Sequence, residues 1–166
     1  MFKNISLFIV FILVISCKNT QTVTQNPIDS KHQDISMYPV PQEGFKRVFI
    51  HLDQQENEDD FQIEFYAGKT MEIDCNKHAL MGRFNEQNVT GWGYNYYNFE
   101  TNGDFRTTLM ACPDDEKHLE FVKSTTKMVP YNSKLPIVIY IQDGFQIKYS
   151  IWKRQELVLD ATDSDK

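Results

Sequence analysis

Short apolar runs that alternate with polar residues, broken by glycine and by Asn or Asp, make up most of this chain and leave little room for helices. Val48-Phe49-Ile50-His51-Leu52, Phe61 to Tyr66, Tyr94 to Phe99, Ile137 to Ile141 and Phe145 to Trp152 are rich in β-branched and aromatic residues. A period of two sends alternate side chains to opposite faces of a sheet, so each run reads as a half-buried strand. Ala67-Gly68, Asn102-Gly103 and Asp143-Gly144 punctuate the runs, the last two as dipeptides that favour hairpin turns. No segment sustains an apolar stripe at helical spacing between capping residues, and no internal repeat marks a propeller or solenoid. The expected fold is all-β, an antiparallel sandwich or barrel in a single domain.

The first residues bear on compartment. Met1-Phe2-Lys3 is a short positive start, Leu7 to Ile15 is apolar, and Val14-Ile15-Ser16-Cys17 closes the run with a small residue before a cysteine. Such a run falls short of the roughly 20 residues of a membrane span and reads as an export signal over residues 1–16. Val-Ile-Ser-Cys resembles a bacterial lipobox, which implies cleavage before Cys17, a lipid on its sulfur, and a periplasmic or outer-membrane lipoprotein of a bacterium. A plain signal peptide cut nearby is the alternative. Residues 17–36, rich in Thr, Gln, Asn, Asp and Ser, cannot bury enough apolar surface to order themselves and are expected to form a flexible tether. Residues 37–166, about 130 in number, suffice for one core. The net charge of −6 argues against nucleic acid and against charge-driven adhesion to anionic lipid.

With Cys17 assigned to the signal or anchor, Cys75 and Cys112 remain as a possible pair, and in an oxidising compartment they read as one disulfide. Closing a ring of that length is worth about 4 kcal/mol on the chain-entropy model. Other chemistry is not encoded. His32, His51, His78 and His118 lack metal-ligand spacing, Glu56 to Asp60 lacks the alternation and glycine of a calcium loop, and no nucleophile elbow or phosphate-binding glycine loop occurs. No cofactor is expected.

YPVPQEGFKR at 38–47, GKTMEIDCN at 68–76, GWGYNYY at 91–97, TTLMACPD at 107–114, YNSKLPIVIY at 131–140 and IKYSIW at 147–152 occur in one order and together resemble the ecotin family of serine-protease inhibitors. The resemblance implies a sandwich-like inhibitor, not an enzyme, that dimerises by exchanging C-terminal strands and holds trypsin-fold proteases. It assigns Leu109-Met110 as the inhibitory reactive bond, within a loop of Thr107, Thr108, Ala111, Cys112 and Pro113. Asp74-Cys75-Asn76-Lys77-His78 matches a loop that braces the inhibitory loop, with support assigned to Cys75, Asn76 and His78. Trp92, Gly93, Tyr94 and Asn95, with Asn132, Lys134 and Leu135, match a secondary surface that grips the same protease from the other protomer. Leu157-Val158-Leu159 offers an apolar patch near the chain end that needs a partner.

Departures from the family pattern narrow these expectations. The reactive position usually carries the adaptable Met, and Leu109 is branched, so chymotrypsin-like and elastase-like targets are expected over trypsin-like ones, whose buried Asp an aliphatic chain leaves unpaired. Ala79 replaces an arginine that usually follows the histidine of the bracing loop. The stretch 121–131 is shorter than in the family, with Pro130 at a commonly basic position, and Asp114-Asp115-Glu116 adds negative charge beside the loop. Two other readings compete: a lipid-anchored carbohydrate- or ligand-binding sandwich with Trp92, Tyr94, Tyr96 and Tyr97 as a stacking platform, and a cysteine hydrolase built on Cys112, which needs a free thiol.

Overall fold

The computed structural model describes residues 34–114 and 116–162. The expected signal segment, Cys17, most of the expected tether, His32 and Asp115 lie outside the described residues. Ten strands are present: β1 (Phe45–Ile50), β2 (Phe61–Ile73), β3 (His78–Leu80), β4 (Arg83–Asn88), β5 (Asn95–Glu100), β6 (Phe105–Thr107), β7 (His118–Lys123), β8 (Lys127–Pro130), β9 (Ile137–Gln142) and β10 (Gln146–Lys153). The acidic run before β2 forms a short 3-10 turn, Glu58–Asp60.

Two four-stranded sheets make the sandwich. One has the order β1-β9-β5-β4; in the other β2 is flanked by β10 on one side and by β7 and β8 on the other, and β3 pairs with β6 alone. Alternation does the packing: Ile63, Phe65 and Ala67 of β2 point inward to meet Ile50, Tyr97, Phe99, Ile139 and Ile141 of the facing sheet, all of them buried. The all-β expectation holds, and the pairs are antiparallel except one, β5 beside β9, where Tyr97 aligns with Ile139 and Asn98 with Tyr140 in parallel. On the outer face of that sheet Tyr38, Val89, Val138 and Tyr140 form a smaller cluster, against which Ile35 and Met37 pack. Arg47 fastens this chain segment by donating to the carbonyls of Tyr38 and Pro39, at 3.0 and 3.1 Å.

Three turn expectations need correction. Ala67-Gly68 is no break: β2 runs straight through it, because Gly68 lies under the ring of Phe121 and against the carbonyl of Val122, and the absent side chain is what permits the contact. Asn102-Gly103 and Asp143-Gly144 do turn the chain, with φ of 81° and 86° at the glycines. Neither closes a hairpin, since β5 and β6 belong to different sheets, as do β9 and β10. The alternating pattern announced the strands on either side, but a turn dipeptide says nothing about whether the chain returns to the sheet it left. Short or polar strands, β3, β4, β6, β7 and β8, gave too weak an alternation to be read.

A Cβ at position 68 would stand 2.4 Å from the Val122 carbonyl oxygen and 2.6 Å from the Phe121 ring. Gly68→Ala is therefore expected to destabilise the domain by about 2–3 kcal/mol, read as a lowered urea midpoint at unchanged slope. Adding Phe121→Ala should recover only part of this, because the backbone clash remains.

Candidate functional site

The segment after β6 leaves the body of the protein and exposes its apolar residues. Leu109 is 94% exposed and Met110 58%. What keeps so open a loop in place is an amide beneath it. Asn76, only 8% exposed, accepts hydrogen bonds at its Oδ1 from the backbone N–H of Met110 (2.7 Å) and from the hydroxyl of Thr108 (2.9 Å). Its Nδ2 donates to the Met110 carbonyl (3.3 Å) and to Asp74 Oδ2 (3.0 Å), and lies 3.6 Å from the sulfur of Cys112. Both ends of the amide are thus used, and they hold residues on either side of Leu109. Lys77 adds a backbone bridge, accepting from the Thr108 N–H at 3.1 Å while its own N–H donates to the Thr108 hydroxyl at 3.0 Å.

Covalent and ionic contacts fix the amide in turn. Cys75, next to Asn76, is disulfide-bonded to Cys112, with the two Cα atoms 5.7 Å apart. That bond ties the loop on its far side and removes the free thiol that a cysteine hydrolase would need. Asp74 Oδ1 accepts from the Asn76 N–H and from His78 Nε2, each at 2.9 Å. These hydrogen bonds to the charged form, from His78 first and then from the Asn76 side chain and backbone, hold the Asp74 carboxyl down at about 2. Thr107 contributes a weaker contact, 3.5 Å from its hydroxyl to His78 Nε2. Ala79 stands in β3 directly opposite Arg106 of β6. Pro113 and Ala111 are both exposed, and neither makes a bracing bond among the described residues.

The second group of expected residues gathers elsewhere. Trp92, Gly93 and Tyr94 form the tip of the β4–β5 hairpin, closed by hydrogen bonds from the Trp92 and Gly93 N–H groups to the Val89 carbonyl. Gly91 and Gly93 both adopt positive φ, 83° and 71°, which leaves Trp92 between two residues of left-handed backbone and 56% exposed. Asn95 donates to Glu86 at 2.7 Å and accepts from Asn88 at 2.9 Å. Asn132, Lys134 and Leu135 occupy the turn between β8 and β9, where the Lys134 N–H donates to Asn132 Oδ1. Because β5 and β9 run parallel, the segments that precede them emerge from the same end of the sheet. The residues expected at the secondary surface therefore do share one end of the molecule.

That end is not the one that carries Leu109 and Met110. The Tyr131 N–H donates to the carbonyl of Phe61, at the start of β2, whereas Cys75 and Asn76 follow its last residue, Ile73. A strand of that length spans roughly 40 Å at about 3.3 Å per residue. The aromatic platform also divides. Tyr96 lies on the outer face, 5.3 Å from the Tyr140 ring, whereas Tyr97 is buried in the core against Phe65. Alternation along β5 thus rules out a single stacking surface of Trp92, Tyr94, Tyr96 and Tyr97.

Comparisons with known proteins supply the family. A family model described as Ecotin matches residues 34–154. The chain belongs to the ecotin family. It is 40% identical over 144 residues to the ecotin of Pseudomonas putida strain W619, covering 86% of this chain and 91% of that protein. It is 42% identical over 134 residues to that of Pseudomonas fluorescens, covering 80% and 85%, and 35% identical over 164 residues to that of Yersinia enterocolitica, covering 96% and 98%. Membership carries the family's coarse role, inhibition of serine proteases rather than catalysis.

Asp74 and Lys77 lie within the expected bracing loop, but neither was singled out among its support residues. The Asp-x-Asn spacing that starts an Asx turn was the signal for Asp74, and for the backbone of Lys77 there was none. Since Asp74 titrates at about 2 in the folded protein and ordinarily at 3.8, its support is complete above about pH 4 and is lost as pH falls through 2. Exchange of the Met110 amide should accelerate over that window beyond the intrinsic pH trend, and Asp74→Asn should flatten the extra acceleration.

Proposed function

We propose that the chain is a substrate-like, reversible inhibitor of trypsin-fold serine proteases, presenting Leu109-Met110 as the bond they attack. The observation that carries this reading is the Asn76 amide under an exposed bond. A protease serine would add to the Leu109 carbonyl, and the protease would stabilise the oxyanion that develops. Collapse would expel the Met110 amine, whose nitrogen is the atom that donates to Asn76 Oδ1. Thr108, on the acyl side of the cut, hangs from the same oxygen, and Cys112 anchors the amine side through the disulfide. The two new ends would stay together, so resealing would compete with hydrolysis. A loop already held in shape also loses little conformational entropy on binding.

Leu109 would fill the primary pocket and favour chymotrypsin-like and elastase-like enzymes. The Trp92 hairpin tip with Asn132, Lys134 and Leu135 serves as a second grip, and its position at the opposite end from the reactive loop means that it would reach the same protease only from another protomer. β10 supports such a dimer. It is an edge strand, with Tyr149, Ile151 and Trp152 each about half exposed, and Leu157, Val158 and Leu159 beyond it exposed at 71%, 84% and 78%. An uncovered apolar edge of this kind suits a second copy of the chain. Export, with or without a lipid on Cys17, would bring the inhibitor to proteases outside the cytoplasm.

Titration of chymotrypsin, elastase and trypsin with the purified domain should show tight inhibition of the first two, with slow appearance of a nick after Leu109 by mass. Leu109→Arg should reverse the preference toward trypsin. Asn76→Ala should weaken inhibition by about 10–100-fold and speed the nick, corresponding to about 1–3 kcal/mol of lost hydrogen bonding. Cleavage at ordinary substrate rates in the unaltered protein would overturn the reading.

Deleting residues 155–166 together with Ile151→Lys should leave β10 on β2 yet convert a dimer to a monomer in sedimentation. A dimer that survives both changes would place the interface elsewhere.

A further inference from the structure

The charges on the approach to the reactive bond point to a feature of the target. Each of the chain's arginines lies in a described segment, and three have partners: Arg47 donates to two carbonyls, Arg83 pairs with Glu100, and Arg154 pairs with Asp60. Arg106 is exposed and, among the described residues, has neither an ion pair nor a hydrogen bond from its guanidinium. Its place is fixed all the same. It lies in β6 opposite Ala79, whose methyl group is too short to cover it, three residues before Leu109. In extended chain that is about 10 Å upstream of the reactive bond, within the stretch a protease cleft receives.

A second unpaired cation stands beside it. Lys77 is exposed, and its backbone is bonded to Thr108, which places it along the same upstream half of the loop. Two carboxylates close by in sequence do not pair with either cation: Asp74 is engaged by His78 and Asn76, and Asp104, two residues before Arg106, forms no ion pair among the described residues. In a chain of net charge −6 these are two cations that no described carboxylate engages. A guanidinium is a planar fork suited to a carboxylate, and an exposed one on a strand whose backbone is fixed beside a docking surface breaks no existing ion pair on finding one.

We propose that Arg106, assisted by Lys77, is a specificity-determining residue that selects proteases with a carboxylate on the cleft wall upstream of the cut bond. This rests on the inhibitory reading above. The target is thus a trypsin-fold enzyme with an aliphatic or aromatic-accepting primary pocket and an acidic upstream wall. Proteases with a basic wall are disfavoured by the same charge.

The test uses Arg106→Ala, Arg106→Glu and Arg106→Lys in the full inhibitor. Inhibition constants and association rates at low and high salt are measured on chymotrypsin-like proteases of known sequence with acidic, neutral and basic upstream walls. Against acidic-walled enzymes Arg106→Ala should weaken inhibition by roughly fivefold and Arg106→Glu by roughly tenfold or more, mostly through slower association and less so at high salt. The order should invert for basic-walled enzymes, and Arg106→Lys should keep much of the preference, which also shows that the loop is intact. Ratios that are equal across the three wall types overturn the role of Arg106 and leave the inhibitor standing. An unaltered protein that inhibits none of them removes both.

Discussion

One buried carboxamide governs the exposed Leu109-Met110 loop of this molecule. An exposed loop carrying Leu and Met has no packing of its own to define its shape, so the shape must come from hydrogen bonds made on its inner side. Asn76 supplies these from a single side chain, with an acceptor for Thr108 and Met110 and donors for Met110 and Asp74. A buried amide left half satisfied would cost about as much as the loop gains, which makes the arrangement all-or-none. Asp74 and the disulfide set the orientation of Asn76, and through it the protein core reaches a bond that touches none of that core. Aspartate would be a poor substitute at 76, since a carboxylate has no N–H to give to Met110 or Asp74.

β2 is the spine that relates this loop to the rest. It pairs with three other strands and carries the inner residues of one sheet, and its two ends deliver the two candidate surfaces. Length is what makes this possible, and Gly68 is what makes the length possible. Any larger residue there would force the strand away from β7, whose first residue, His118, pairs with Ile73 just before the bracing loop. A packing constraint in the middle of the sheet is in this way a positional constraint on Asn76.

Much of this was readable beforehand, and the rest was not for physical reasons. Strands with one face turned to the core declare themselves by period two, as β1, β2, β5 and β10 do, whereas β9, buried on both faces, declares itself as a continuous apolar run. β4, RFNEQN, carries only Phe84 as a large apolar residue and gives no period, though it holds up the Trp92 hairpin. Turn chemistry at Asn102-Gly103 and Asp143-Gly144 told of direction but not of destination, because crossing between sheets is a tertiary choice. The loop residues came from the family pattern rather than from periodicity, and the pattern named Asn76 without giving its geometry. Sequence could not show that the Asn76 side chain meets the nitrogen of Met110, nor that the Arg106 guanidinium alone among the arginines lacks a partner among the described residues. Both depend on which residues the β3–β6 register brings side by side.

The distribution of exposed apolar residues separates surface that awaits a partner from surface that does not. Val40, Met81, Leu119 and Met128 are exposed on different parts of the sandwich, and scattered residues of this kind are ordinary on a soluble surface. The remainder cluster in sequence: Leu109 with Met110, Trp92 at a hairpin tip between glycines, and Tyr149, Ile151 and Trp152 continuing to Leu157, Val158 and Leu159. Each cluster also has a device that keeps it out of the core, namely the Asn76 brace, the two left-handed glycines, and an edge position in the sheet. Hydrophobic burial would otherwise tend to draw such residues inward. A chain that repeatedly fixes apolar side chains where water reaches them is organised for contacts it cannot make with itself, and the opposite placement of the first two clusters along β2 keeps one protomer from bringing both to the same small surface.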